Sequence, residues 1–227
     1  MDLLEFARGP ALVFALAVFV LGTSWRLAGV LRLPRRPDRS PAREGAPANW
    51  VAASRAIGRG LWPRKTFGQA ALVTAVNGYV FHVGLAFVFF GYAPHIAFVH
   101  RLTGLAWPAL PDTLMYLAAG ITMVSLLLAL WSRLNDDVRR KISTADDMIT
   151  WTVTFLPILT GMAVMSEPSA SILTRPHVLY GGPLAVHLFS LELLLIWFPF
   201  GKLMHAFLFA FSRGATGIRF AHRGVKI

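Results

Sequence analysis

Five stretches of this chain are too long and too apolar for the interior of an ordinary water-soluble domain. They cover residues 10–31, 70–100, 113–131, 148–165 and 183–211. Each reaches the ~17–25 residues that a helix needs to cross the hydrocarbon core of a bilayer. No water serves the backbone there, so a spanning segment must be a helix that pairs its own N–H and C=O groups. The chain is therefore expected to be an all-α integral membrane protein, a single domain over residues 1–227 with five transmembrane helices. The second and fifth stretches exceed the minimum length, which predicts tilt or protrusion. Pro94, Pro157 and Pro199 lie in or beside these stretches and are expected to kink their helices.

Charge sets the orientation. With five spans the loops alternate sides, and of 22 basic residues only Arg8, Arg101 and Arg175 fall on one side. The other side takes the basic connection 32–66, the loop with Arg133, Arg139, Arg140 and Lys141, and the tail with Arg213, Arg219, Arg223 and Lys226. The positive-inside bias then predicts an external N-terminus and a cytoplasmic C-terminus. It also accounts for the net charge of +11 without a nucleic-acid partner. Pro34, Pro37, Pro41 and Pro47 predict an extended connection, and residues 50–62 a short amphipathic helix on the membrane surface. The first stretch lacks a basic leader, so it is expected to stay as a helix rather than to be cleaved as a signal peptide.

Histidine is the residue type that points to chemistry. His187 and His205 are eighteen residues apart in the fifth stretch. On an uninterrupted helix that is five turns, so both rings share a face about 27 Å apart along the axis at ~1.5 Å per residue. Ionisable groups inside a span are costly and mark function, and imidazole is a common axial ligand of haem iron. Two stacked cofactor sites are the expectation. His82 lies inside the second stretch, flanked by Gly78 and Gly84, which are expected to let a planar cofactor approach the helix. Its depth makes it the partner of His205. His187 needs a partner nearer the external end, where His95 and His100 both qualify. Ideal helical phase favours His100, whereas depth in the bilayer and the redirecting Pro94 favour His95. His177 falls in an external loop, where it and Arg101 are candidates for contacting a quinone, and His222 is expected to be solvated surface.

The absence of cysteine excludes disulfides, thiolate metal sites, iron–sulfur clusters and covalently attached haem within the chain. Any haem here is b-type, and any iron–sulfur relay belongs to another subunit.

Phe81-His82-Val83-Gly84, together with His187 and the run Phe198-Pro199-Phe200-Gly201-Lys202-Leu203-Met204-His205, resembles the gamma subunit of respiratory nitrate reductase. The loop Val138-Arg139-Arg140-Lys141-Ile142-Ser143-Thr144-Ala145-Asp146-Asp147 is similar to that family as well, and the resemblance extends over roughly residues 70–213. It implies two non-covalent b haems, each held by one histidine from the second helix and one from the fifth. Carried over, His82 and His205 hold the inner haem iron and His187 one side of the outer. The family's histidine ten residues after the first corresponds to Tyr92 here, and His95 is the substitute ligand. The resemblance further implies electron exchange between the quinol pool and an iron–sulfur and a catalytic subunit at the cytoplasmic face of a bacterial inner membrane. The complex would be a nitrate reductase or a sulfur-cycle, heterodisulfide-reductase-like assembly. The chain would be its quinol-oxidising or quinone-reducing subunit, with no bond-making residue of its own.

Two other readings compete. A transporter needs a polar path, yet Glu192 is the main acid within the spans, and it is expected to be a satisfied helix contact rather than a proton relay. A single-haem or haem-free membrane anchor would leave intramembrane histidines without a role.

Overall fold

A computed structural model describes residues 2–34, 38–61, 68–166 and 181–225, and its described regular structure is helical throughout. Helix α1 (Leu3–Phe6) passes through a π turn at Ala7–Ala11 into α2 (Leu12–Arg32), so that the three form one rod. Asp2 and Glu5 close a reciprocal capping box at its start, each side chain accepting from the other's backbone N–H. The π turn accommodates Pro10, which has no N–H to place in an α ladder. Next come α3 (Asn49–Gly60), α4 (Gly68–Gly91), α5 (Ala93–Thr103), α6 (Asp112–Asn135), α7 (Asp137–Ile142), α8 (Ala145–Ser166), α9 (Gly181–Trp197) and α10 (His205–His222).

Four helices are long and apolar enough to cross a membrane, and the pair α9 and α10 makes a fifth candidate bent by 74°. Side chains such as Leu21 and Val73 expose 70% and 69% of their surface along these helices, which suits lipid contact rather than water. The long helices pack in the order α4, α6, α8, α9, α2, each against the next. Polar glue joins them. Asn77 Nδ2 donates to the Ser125 carbonyl at 3.0 Å across α4 and α6, and Ser125 Oγ donates back to Asn77. Trp151 Nε1 of α8 donates to the Leu126 carbonyl of α6 at 2.9 Å. In hydrocarbon such bonds add directional contacts to van der Waals packing.

Two spans expected to be kinked helices are broken outright. The stretch 70–100 divides at Tyr92, whose backbone is extended (φ −82°, ψ 126°), and α5 restarts with Pro94 in its first turn. In a continuous helix a proline there would supply no N–H to Phe90 and its ring would clash with that carbonyl. The carbonyls freed at the end of α4 find other donors. Trp107 Nε1 donates to Phe90, the Leu110 N–H to Gly91 at 2.8 Å, and His95 Nδ1 to Val88 at 3.1 Å.

The stretch 183–211 breaks after Trp197 in the turn Phe198-Pro199-Phe200, followed by a 3₁₀ turn at Lys202–Met204. The N–H groups of Phe200 and Gly201 both return to the Trp197 carbonyl at 3.0 Å. Pro199 is fully buried against Gly22 of α2, where a Cβ would come within 2.7 Å of its ring. Gly201 sits so close under the Trp197 indole that any side chain would collide with it. His187 and His205 therefore do not share one helical face, because the helix between them does not continue.

The amphipathic helix expected over 50–62 appears as α3, and it lies against α10 at two glycines, Ala52 and Ala56 facing Gly217 and Ala53 and Ile57 facing Gly214. The preceding connection is tied to the same tail. Arg223 Nε meets Asp38 at 2.7 Å, His222 Nε2 donates to the Ser40 carbonyl at 2.9 Å, and the Arg43 N–H to the His222 carbonyl at 2.9 Å. The guanidinium beside Asp38 holds its carboxyl well below the usual carboxylate range. His222 is thus a tether rather than free surface.

The α3–α10 contact gives a direct prediction. A Cβ on Gly217 would lie 2.3 Å from Ala56 Cβ and 2.7 Å from the Ala52 carbonyl oxygen. Gly217→Val should cost about 1–3 kcal/mol by overpacking, read as a lower thermal midpoint in detergent. Gly58→Ala, facing open space, should not lower it. Equal midpoints for Gly217→Val and the wild type would contradict this packing.

Candidate functional site formed by two imidazole pairs

The two helix breaks bring four histidines together in two pairs. His82 of α4 and His205, the first residue of α10, have ring centres 6.0 Å apart with planes at 89°. His95 of α5 and His187 of α9 have ring centres 6.3 Å apart with planes at 18°. Among the described residues α4 and α9 form no close-packed pair, so the rings reach across the space between the backbones. The first pair is exposed and the second half-buried.

Each ring is fixed from its Nδ1 side. His82 Nδ1 lies 2.7 Å from the Gly78 carbonyl, His205 Nδ1 2.8 Å from that of Lys202, and His95 Nδ1 3.1 Å from that of Val88. A carbonyl only accepts, so these rings carry their hydrogen on Nδ1. His187 Nδ1 lies 3.1 Å from Thr160 Oγ1, whose own hydrogen goes to the Leu156 carbonyl at 2.7 Å, leaving lone pairs for the imidazole. Ser190 Oγ adds a contact to Thr160 at 2.9 Å and donates to the His187 carbonyl. Among the described residues no hydrogen bond engages Nε2 of any of the four. A neutral ring with Nδ1–H held by a carbonyl or hydroxyl presents an oriented Nε2 lone pair, the arrangement a metal-ligating histidine adopts.

The spacing tests which group fits. Metal–imidazole nitrogen bonds are about 2.0–2.1 Å, with the ring centre roughly 1.2 Å behind the nitrogen, so two imidazoles on opposite sides of one ion would place their centres about 6.5 Å apart. The observed 6.0 and 6.3 Å lie within about half an ångström of that spacing. Among the described residues no three of His, Cys, Asp or Glu gather to hold a bare ion. A porphyrin asks for only two protein ligands, because its own nitrogens fill the equatorial plane. The residues present therefore fit haem better than an isolated metal ion.

The remaining candidates fall elsewhere. His100 is exposed in the last turn of α5, and Arg101 beside it is exposed at that helix end. The break at Tyr92 resets the helical phase, so His95 rather than His100 lies opposite His187. Tyr92 lies edge-on to His95 with ring centres 5.2 Å apart, and Phe89 stacks on its other side at 5.6 Å. His177 lies outside the described residues. Gly78 faces open space beside His82, but Gly84 does not serve a cofactor: it lets α6 approach, with Thr122 packed against it. Glu192 is buried and, among the described residues, its Oε1 has no hydrogen-bond partner.

Sequence reasoning missed Thr160, Gly161 and Ser190. A Cβ on Gly161 would stand 3.1 Å from the His187 ring, so this glycine lets the imidazole lie against α8. The signal was present in Thr160-Gly161, a small polar pair amid apolar residues of the fourth span. Thr160→Val should remove the acceptor for His187 Nδ1–H and cost about 1–2 kcal/mol, whereas Thr160→Ser should retain it. Indistinguishable thermal midpoints for the two variants would contradict the bond.

No family model matches the chain. A protein of Nitratidesulfovibrio vulgaris (strain Hildenborough) is 30% identical over 233 aligned residues, spanning 95% of this chain and 92% of its own. With that identity sustained over nearly the whole of both chains, this chain belongs to the same family as the Nitratidesulfovibrio vulgaris protein.

Proposed function

We propose that the chain is a membrane cytochrome b subunit that passes electrons between the quinol pool and an iron–sulfur partner through two bis-histidine haems. The observation that carries this reading is the pair of imidazole pairs, 6.0 and 6.3 Å between ring centres, with every Nδ1 anchored. His82 and His205 would hold one haem iron, and His95 and His187 the other. Two axial imidazoles leave no open coordination position, so the iron when bound supplies one-electron transfer rather than oxygen chemistry. The protein's part is to hold the four rings, fix their tautomers and keep the path apolar.

The orientation follows from charge and contact together. The connection before α3 and the tail after α10 pack on each other, which supports one common side for both. That side carries most of the basic residues, so it is assigned to the cytoplasm of a bacterial inner membrane and the N-terminus to the exterior. His82 and His205 then form the inner site, and His95 and His187 the outer. The basic face offers complementary charge to an iron–sulfur subunit and, through it, to a catalytic subunit. Quinone would bind at the outer site, with Arg101 and His177 as candidate contacts. The motif resemblance favours a nitrate-reductase gamma-type role, with a sulfur-cycle or heterodisulfide-reductase-like complex as the related assignment. A transporter is the second reading, favoured by one observation, the unpartnered Oε1 of buried Glu192.

Haem content separates these readings. The purified wild type should carry two b haems per chain. His82→Ala or His205→Ala should remove one, and His95→Ala or His187→Ala the other, while His100→Ala keeps both. Protein purified without haem would overturn the proposal and favour the transport reading. Loss of haem in His100→Ala but not in His95→Ala would move the outer ligand.

A further inference from the structure

Lys202 grips His205 from both ends of its own residue. Its carbonyl accepts from His205 Nδ1 at 2.8 Å, while its Nζ lies 2.6 Å from Asp147 Oδ1. Asp147 is almost fully buried in the first turn of α8. The same Oδ1 meets Arg133 of α6 at 3.0 Å, and Oδ2 accepts from Thr144 N–H at 2.9 Å and from its hydroxyl at 3.1 Å. One turn further along α8, Thr150 Oγ1 receives Trp197 Nε1 at 3.0 Å and contacts Asp146 at 3.2 Å. The first two turns of α8 thus hold the bend on both sides, at Trp197 where α9 ends and at Lys202 before α10 begins. Four bonds on one buried carboxylate exceed what a helix cap needs. One of them, from Lys202, ties it to the turn that presents His205.

We propose that Asp147 and Lys202 form a device that both positions the His205 imidazole and sets the electrostatic potential at the iron this ring would hold. This rests on the haem reading above. The cluster of Arg133, Lys202 and Asp147 carries two positive charges and one negative. Neutralising Asp147 leaves two cations facing the site, which favours the less positive, reduced iron. Neutralising Lys202 removes a cation and favours the oxidised iron. Removing both restores the original net charge. A purely structural clamp behaves otherwise, because loosening the turn from either side disturbs the same ring in the same sense.

The test is a redox titration of the optical bands in detergent-solubilised full-length protein, with haem content and thermal midpoint measured on each variant. Asp147→Asn should raise the midpoint potential of the His82–His205 haem, Lys202→Met should lower it, and the double variant should return towards the wild type. Lys202→Arg keeps the charge and should keep the potential. The His95–His187 haem should move much less in all four. Shifts of the same sign in both single variants, or none in either while haem content holds at two, would overturn the proposal and leave the haem reading standing. A wild type that binds no haem would overturn the haem reading itself, and this proposal with it. If Asp147→Asn fails to fold, Lys202→Met against Lys202→Arg decides the point: equal potentials in those two variants would overturn the electrostatic role.

Discussion

Pro94 and Pro199 each remove a backbone donor from a helix that would otherwise run on through an apolar span. In hydrocarbon the carbonyl left behind has no water to turn to, and an unsatisfied one costs several kcal/mol. Both breaks therefore exist only because other groups patch them. At Tyr92 the patches are the Trp107 indole, the Leu110 amide and the His95 ring. At the second break the turn folds its amides back onto the Trp197 carbonyl, while Thr150 and Asp147 hold its two ends. The His95 ring is itself one of the patches at the first break, and at the second Lys202, held by Asp147, offers its carbonyl to the His205 ring.

This shared use explains why the two pairs differ. His95 and His187 are held by groups inside the bundle, Val88, Thr160 and the close approach of Gly161, and they are half-buried. His82 and His205 lean on backbone carbonyls at the more polar end, beside Lys202 and Asp147. One site is set mainly by packing, the other by charge as well. Glu192 stands apart from both, a buried carboxyl with an unpartnered oxygen.

Apolar length made the helical class readable from the residues, and the histidines were readable because nothing else in the spans looked like chemistry. The expected pairing rests in part on a premise that the structure contradicts. Equal phase over eighteen residues assumes that His187 and His205 share an unbroken helix, whereas α9 stops at Trp197. The choice between His95 and His100 was open for the same reason: straight-helix phase selects His100, and only the phase reset at Tyr92 turns His95 towards His187. A proline in a span signals a kink but not its size. The size is decided by partners distant in sequence, such as Gly22 against Pro199 and Asp147 against Lys202. Gly84 illustrates the opposite error, a small residue beside a histidine that in fact serves α6.

Electron paramagnetic resonance of the oxidised, purified protein tests the central claim most directly. The angle between axial imidazole planes controls how far the two iron orbitals that overlap the rings are split. If these rings hold haem iron as proposed, planes at 89° would leave the orbitals nearly degenerate, and planes at 18° would split them. The account predicts two low-spin ferric signals of equal intensity, one strongly anisotropic and one rhombic. A high-spin ferric signal, or no ferric haem signal at all, would contradict it.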